Sequence, residues 1–189
     1  MLSIVVPCHN EEEGIELFYR EVTRVADESL PHEVGIELLF VDDGSCDETL
    51  AVVRRLAQSD PRVRYLSFSR NFGKEAALLA GLRAARGDYV ATMDADLQDD
   101  VNAIDEMIDK YYDGNDVVYG VRSSRKKDTF FKKTTAEGFY KMMKWMGVDI
   151  VFNHADYRLM SRRVLEQLED YKEVHLFLRG MIPLIGYPS

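Results

Sequence analysis

Short apolar runs alternate along this chain with stretches in which apolar residues recur every three or four positions. The runs are rich in Val, Ile, Leu and Tyr and lie at residues 3–6, 36–41, 63–67, 89–93 and 116–121. Each run is short enough for a buried strand, and the longer stretches have the spacing of one helical face. Strands that alternate with helices form βαβ crossovers, so the sequence predicts an α/β fold with a mainly parallel sheet covered on both faces.

Four helices are predicted between these strands. The first follows Asn10, which we expect to be its N-cap, and its inward residues are Ile15, Phe18, Val22 and Val25. The others are predicted over residues 47–59, with Leu50, Val53 and Leu56 or Ala57 inward, over 74–85 and over 102–112. Beyond Val121 the alternation ends. Helices are expected at residues 129–145 and 162–170, and no further strand is identified.

Composition bounds the class of protein. The 189 residues are 46% hydrophobic and 30% charged, which favours one globular domain with a real core. No apolar stretch is long enough for a membrane-spanning helix, and the first residues lack the pattern of a secretory signal, so the cytosol is the expected compartment. Cys8 and Cys46 are too few for a disulfide framework or a zinc cage and are expected to be reduced thiols.

The charge is unevenly distributed. A net charge of −9 argues against a general nucleic-acid binder. Residues 122–144, however, hold eight Lys or Arg against two acids. Such a run is either a solvated surface or a site for an anionic ligand.

Acidic residues follow several of the predicted strands, at the edge of a parallel sheet where ligands bind. Asp94 and Asp96 are spaced to turn toward one ion, and Gln98 adds a neutral oxygen, a set of hard ligands that suits Mg²⁺ or Mn²⁺. The alternative is that these acids cap the next helix. Asp42 and Asp43 follow the second strand, where a carboxylate either accepts hydrogen bonds from a nucleobase or ribose or shapes the turn.

Basic residues are expected to hold anions at the same edge. Arg122 ends the fifth strand and Arg125 follows it, and a guanidinium group binds phosphate in a bidentate manner. Residues 71–74 precede the third helix, whose N-terminal amides also suit an anion. Asp156 is a candidate base or electrostatic stabiliser. The chain lacks the P-loop, dinucleotide-binding and hydrolase-elbow motifs, and its four histidines lack metal-ligand spacing.

Six motifs together resemble family 2 glycosyltransferases, and most closely the polyprenyl-phosphate branch. They cover about residues 3–186 and comprise PCHNEE at 7–12, VDDGS at 41–45, RNFGKEAAL at 70–78, DADLQD at 94–99, GVRSSR at 120–125 and DYRLMSRRV at 156–164. The resemblance implies a GT-A fold and an inverting transfer from a UDP- or GDP-sugar to a polyprenyl phosphate at the membrane surface, in cell-envelope biosynthesis.

The resemblance also implies roles for individual residues. A divalent cation would be held by Asp94, Asp96 and Gln98. The nucleotide would contact Pro7, Asn10, Glu11, Asp42, Asp43, Lys74, Asp94 and Ala95. The acceptor phosphate would contact Arg122, Arg125, Lys132 and Lys133. Catalytic roles fall to Asp96, Arg122 and Asp156. Residues 1–121 would form the nucleotide-sugar-binding core, and residues 122–189 the acceptor side of the same catalytic domain.

Family members of this branch usually carry transmembrane helices after the position of Tyr187, so we expect a catalytic domain on the cytoplasmic side of a membrane, anchored through a further C-terminal region. An oligomer is possible. Two alternatives stay open. One keeps the donor but takes a saccharide hydroxyl as acceptor, which requires a carboxylate base such as Asp156. The other is a phosphate-sensing module like a receiver domain.

Overall fold

The computed structural model describes residues 1–31, 34–121, 154–171 and 177–189. Six strands form a single sheet: β1 (Leu2–Cys8), β2 (Ile36–Asp42), β3 (Val63–Ser67), β4 (Tyr89–Thr92), β5 (Val117–Val121) and β6 (His154–Ser161). The described helices are α1 (Ile15–Glu28), α2 (Thr49–Ser59), α3 (Lys74–Ala84), α4 (Ala103–Tyr112), α5 (Arg162–Glu169) and α6 (Leu178–Leu184).

The strand order is β3-β2-β1-β4-β6-β5. Strands β1 to β4 run parallel to one another, whereas β6 is antiparallel to both β4 and β5. The carboxyl ends of β1, β2, β4 and β5 therefore meet the amino end of β6 at one edge of the sheet, called here the carboxyl edge. This geometry confirms the predicted α/β class with a mostly parallel sheet.

Strand β6 is the main departure from the sequence prediction, which identified no strand after Val121. Two charged residues, Asp156 and Arg158, alternate with apolar ones along it, and it inserts between two strands that precede it in the chain. An antiparallel strand needs no crossover helix before it. The alternation that revealed the other strands therefore could not reveal this one.

Helices cover both faces of the sheet, as predicted. One core lies under α1, α2 and α4 and includes Phe18, Phe40 and Ile104, while the other lies under α3, α5 and α6 and includes Leu78 and Leu165. The four predicted inward positions of α1 are all buried. In α2, Val53 and Leu56 are buried as predicted, but Val52 and Thr49 take the place expected for Leu50.

The predicted N-cap of α1 is wrong. Asn10 has a positive φ of 56°, and α1 begins only at Ile15, after a turn in which the carbonyl of Glu11 accepts hydrogen bonds from the amides of Gly14 and Ile15. The Asn10 side-chain oxygen instead accepts a hydrogen bond of 2.9 Å from the amide of Cys46. Asn10 thus ties the loop after β1 to the loop after β2 and shapes the carboxyl edge.

The chain's last residues return to the sheet. In α6, Leu178 and Ile182 are buried in the second core, and the carbonyl of Pro188 accepts hydrogen bonds from the amides of Asp116 (2.9 Å) and Val117 (3.2 Å) at the start of β5. This docking fixes the position of α6 beside α3. Within the described ranges, no helix has the length and apolar character needed to cross a membrane.

A buried carboxylate joins the strands at the opposite edge of the sheet, and we predict that its charge supports stability. Glu37 accepts hydrogen bonds from the Ser3 hydroxyl (2.5 Å), the Arg86 amide (2.9 Å) and the Arg64 guanidinium. Burial raises its pKa, but these hydrogen bonds outweigh burial and leave the pKa below the usual value. We expect Glu37→Gln to lower the free energy of unfolding by about 1–3 kcal/mol near neutral pH.

Because the folded-state pKa of Glu37 is depressed, its contribution is present above the unfolded-state pKa of about 4.3 and is lost as pH falls through the folded-state value. Urea denaturation near neutral pH and at about pH 3 should therefore show the Glu37→Gln deficit shrinking in acid. The exposed Glu13→Gln is the matched control. A deficit of equal size at both pH values would contradict the prediction.

Candidate active site

A cleft of about 320 Å³ opens at the carboxyl edge, and it is called here the edge cleft. It lies where the loops after β1, β2 and β4 meet the start of α3. Seven of the residues predicted for the site line it: Pro7, Glu11, Asp43, Lys74, Asp94, Ala95 and Asp96. These residues are separated in sequence and converge because parallel strands end at the same edge.

Other predicted site residues lie elsewhere. Asn10 and Asp42 do not line the edge cleft, and Gln98 lines a second cleft, of about 580 Å³, between α4 and β5. The predicted acceptor-phosphate residues lie outside the described residues: Arg122, Arg125, Lys132 and Lys133. The nucleotide, metal and acceptor roles of these residues stay predictions.

The adjacent acids of the VDDG motif have different partners. Asp42 is 1% exposed, and its carboxylate accepts hydrogen bonds from the Ser45 amide (3.1 Å) and the Ser67 hydroxyl (2.9 Å). Asp42 therefore fixes the turn after β2 and the end of β3. This is the turn-shaping alternative for Asp42 described above.

Asp43 anchors the loop that leads into α3. Its two carboxylate oxygens accept hydrogen bonds from the amides of Phe72 (2.7 Å) and Gly73 (2.9 Å). These amides belong to the segment expected to face an anion, and the anion they face is this carboxylate of the protein itself. Asp43 also lines the edge cleft, so it both shapes the cleft wall and remains next to any ligand bound there.

Three further acids, Glu11, Asp94 and Asp96, share the edge cleft with Asp43. Glu11 lies close enough to Asp96 and Asp94 that its pKa is raised, first by burial and then by the charges of Asp96, Asp47 and Asp94. Leu97 has a φ of 54°, and this turn lets the Gln98 amide donate to the Asp96 carboxylate at 3.0 Å. Strained backbone is common at ligand sites. Here the turn at Leu97 keeps Asp96 in the edge cleft while Gln98 points toward the second cleft.

The acids fit a divalent cation that a ligand helps to hold. Asp94 and Asp96 offer hard oxygen donors in one cleft. In the part of the chain that the structure describes, no group of three or more His, Cys, Asp or Glu could hold a metal ion by itself. Mg²⁺ is commonly held by one or two carboxylates plus substrate phosphates, so this donor set suits a shared site better than a cage made by the protein alone.

A cluster of charges lies behind the acids. The Lys74 ammonium is 2.7 Å from Asp94 Oδ1 and 2.8 Å from Asp94 Oδ2, and it is also 2.8 Å from Asp156 Oδ2. The other oxygen of Asp156, Oδ1, accepts hydrogen bonds from Arg158 and Arg179, each at 2.9 Å. Sequence reasoning identified Asp156 and Lys74 but missed both arginines, since neither follows a predicted strand.

Asp156 is held in its charged form. Burial raises its pKa, but hydrogen bonds from Lys74 and Arg179 outweigh burial and lower the pKa to about 2. Arg158 is only 2% exposed, and burial lowers its pKa. A carboxylate with so low a pKa is a weak proton acceptor. The arrangement suits Asp156 better to holding cations than to removing a proton.

Comparisons with known proteins agree with this architecture. The mannosyltransferase PcManGT from Pyrobaculum calidifontis, solved with GDP-Man and Mn²⁺, aligns with a TM-score of 0.66 at 21% identity over 99% of this chain and 53% of that one. Glucosyl-3-phosphoglycerate synthase from Mycobacterium tuberculosis, solved with UDP, aligns with a TM-score of 0.62 at 21% identity over 87% of this chain and 57% of that one. These likenesses confirm the predicted GT-A fold.

Sequence relatives are closer. The uncharacterized glycosyltransferase YkoT of Bacillus subtilis (strain 168) is 48% identical over 100% of this chain and 58% of its own length. The bactoprenol glucosyl transferase of Shigella phage SfV is 46% identical over 98% of this chain and 60% of its own length. The chain thus spans about three fifths of these relatives. Because the family model for glycosyl transferase family 2 also matches residues 3–169, the chain belongs to that family.

Proposed function

We propose that this chain transfers a sugar, with inversion, from a nucleoside diphosphate donor to the phosphate of a polyprenyl lipid. The observation that carries the proposal is the edge cleft, where Asp94 and Asp96, two carboxylates that can bind a metal ion, lie beside Lys74. A diphosphate with a divalent cation matches that pairing of charges. The name of the SfV relative, bactoprenol glucosyl transferase, supports a lipid acceptor.

On the donor side, Asp94 and Asp96 would hold the cation, which supplies stabilisation of the charge that develops on the leaving diphosphate. Lys74 would bind the diphosphate from the side of α3. Pro7, Glu11 and Asp43 line the rest of the cleft and would contact the nucleoside. Asp43 also binds the amides of the loop before Lys74, so it would orient both the nucleoside and the Lys74 side chain.

On the acceptor side, the state of Asp156 favours a phosphate nucleophile. A phosphate monoester has a second pKa of about 6 and is mostly dianionic at neutral pH, so its attack needs no strong base. A saccharide hydroxyl would need a carboxylate base. Asp156 is the candidate base, and its three cationic partners make it a weak one.

The remaining assignments follow from this acceptor. Arg122, Arg125, Lys132 and Lys133 would receive its phosphate, because they belong to the basic stretch of an otherwise acidic chain. Residues 1–121 would bind the donor and residues 122–189 would serve the acceptor, although β6 of the second part completes the shared sheet. A polyprenyl phosphate would place the reaction at the cytoplasmic face of a membrane.

The donor proposal is tested by calorimetric titration of UDP-sugars and GDP-sugars with and without Mn²⁺. We expect the wild type to bind one nucleotide class and to lose at least about tenfold in affinity, or 1.4 kcal/mol, without the cation. Asp96→Ala should show the same loss with Mn²⁺ present, because the cation then lacks a ligand. Asp109→Ala, an exposed acid on α4, is the matched control and should bind like the wild type.

Binding that needs no cation and is unchanged in Asp96→Ala would contradict the metal assignment. The acceptor proposal needs a second measurement, transfer of a radiolabelled sugar to a short polyprenyl phosphate. We expect label in the lipid phase and none on saccharide acceptors. Transfer to a saccharide alone would favour the alternative acceptor and would restore Asp156 as a candidate base.

A further inference from the structure

Lys74 is paired with Asp94, a carboxylate that a divalent cation would need as a ligand. Its ammonium contacts both oxygens of Asp94, at 2.7 and 2.8 Å. Among the described residues, its ion pairs are with Asp94 and Asp156 and not with Glu11 or Asp96 of the edge cleft. Asp94 is therefore neutralised by a cation of the protein itself, and a metal ion that binds there must either displace Lys74 or tolerate a like charge beside it.

Lys74 has a second partner that could keep it in place when Asp94 is taken. Asp156 divides its oxygens: Oδ1 is held by Arg158 and Arg179, and Oδ2 contacts Lys74 at 2.8 Å. The two arginines hold this carboxylate in place, so Lys74 has one ion-pair partner whose position is fixed. The Lys74 side chain is 43% exposed and has a long flexible stem, which allows the ammonium to turn while it keeps this partner.

The charges around Lys74 favour a joint change of partners. Five carboxylates, those of Glu11, Asp43, Asp94, Asp96 and Asp156, lie around three cations, those of Lys74, Arg158 and Arg179. A divalent cation alone would cancel the net negative charge of the cluster, and a diphosphate alone would add to it. The two together leave the balance nearly unchanged, and the diphosphate offers Lys74 a new anionic partner.

We propose that Lys74 is the resident counter-ion of Asp94 and that it couples cation binding to donor binding by moving its charge from Asp94 to the donor's diphosphate. The inference rests on the proposed function and deepens it. It makes Lys74 a positioning residue with two partners in succession. Because coupling between two ligands is reciprocal, the diphosphate should tighten cation binding by the same factor that the cation tightens diphosphate binding.

The test measures binding of Mn²⁺ alone, with no nucleotide, by electron paramagnetic resonance of the free ion. We expect Lys74→Met to bind Mn²⁺ about tenfold more tightly than the wild type, because Asp94 is released from its counter-ion. Addition of UDP or GDP should tighten Mn²⁺ binding strongly in the wild type and by a factor about tenfold smaller in Lys74→Met. A lysine that only supported the fold would not strengthen metal binding when removed.

Companion variants keep the test decisive. Lys74→Gln, which lacks the charge but keeps a hydrogen-bond donor, should behave as Lys74→Met does, and Lys74→Arg should restore the weak binding of the wild type. Lys110→Met, which removes an exposed lysine paired with Asp113 on α4, is the matched control. Thermal unfolding of each variant checks that it is folded.

The outcomes separate this inference from the proposed function. Mn²⁺ affinity that is equal or weaker in both Lys74→Met and Lys74→Gln would overturn the inference, even if nucleotides bind the wild type as proposed. If both variants bind Mn²⁺ more tightly but no nucleotide binds any form of the protein, the counter-ion role of Lys74 at Asp94 stands, while the coupling to a donor and the proposed function both fail.

Discussion

Replacing Asp156 by alanine is expected to lower the free energy of unfolding by about 3–5 kcal/mol, the range for breaking a buried ion pair by removing one partner. The Asp156 side chain is 11% exposed and that of Arg158 is 3% exposed. The variant would leave the Arg158 guanidinium buried without its carboxylate. Two of its nitrogens, Nε and Nη1, already have no hydrogen-bond partner in the described structure. Urea denaturation near neutral pH measures the loss.

A double variant identifies the cause of that loss. In Asp156→Ala/Arg158→Met the unpaired charge is gone, so we expect part of the lost stability to return and the two substitutions to be strongly non-additive. The exposed Asp113→Ala is the control and should change stability by no more than about 0.5 kcal/mol. Additive effects of the two substitutions would show that the pair is not what stabilises this part of the sheet.

The stability that Asp156 contributes should depend on pH. The folded-state pKa of Asp156 is about 2, below an unfolded-state value of about 3.9. Its contribution is therefore complete above the unfolded-state pKa and is lost as pH falls toward the folded-state value. Asp156→Ala should lack this part of the acid destabilisation. An acid-unfolding curve that parallels the wild type would contradict a charge-held Asp156.

The sequence predicted those parts of the fold that repeat. Five strands and four helices follow one after another with clear periodicity, and the structure contains each of them. Strand β6 escaped because its charged residues, Asp156 and Arg158, interrupt the apolar pattern and because it pairs with strands far behind it in the chain. Burial of Arg158 makes sense only once its partner is known, and the partner depends on that unrecognised strand.

The candidate site shows the same limit on a smaller scale. Convergence at the carboxyl edge could be predicted, since parallel strands end together, and it brought Asp94, Asp96 and Lys74 into one cleft. The difference between Asp42 and Asp43 could not. The two are adjacent and chemically identical, and only the positions of Ser67 and of the loop before α3 decide that Asp42 serves the turn while Asp43 reaches the cleft.

Gly44 lies beside these two acids, and Gly44→Ala is expected to cost about 3–5 kcal/mol, combining the strain of a left-handed backbone with that of an overfilled contact. Gly44 has a φ of +65°, and an added Cβ would lie 2.3 Å from the carbonyl carbon of Arg70. The obstacle is backbone, so no rotamer change relieves it. Urea denaturation measures the cost.

The clash should also reach the edge cleft. Pushing Arg70 away moves the loop whose amides, at Phe72 and Gly73, bind Asp43, and this loop leads directly to Lys74. We therefore expect the Gly44→Ala variant that remains folded to bind nucleotide at least about tenfold more weakly than the wild type. The loss comes from misplaced cleft residues, because Gly44 itself does not line the cleft.

Gly114 provides the matched control for the backbone term. It also has a positive φ, of +102°, but an added Cβ there would meet nothing within 4 Å. Gly114→Ala should therefore cost only the conformational strain, about 1–3 kcal/mol, and leave nucleotide binding unchanged. The difference between the two glycine variants isolates the close approach of the turn after β2 to Arg70. Equal losses of unfolding free energy at both positions would mean that the loop before α3 moves freely. The fixed backbone position of Lys74 would then need another cause.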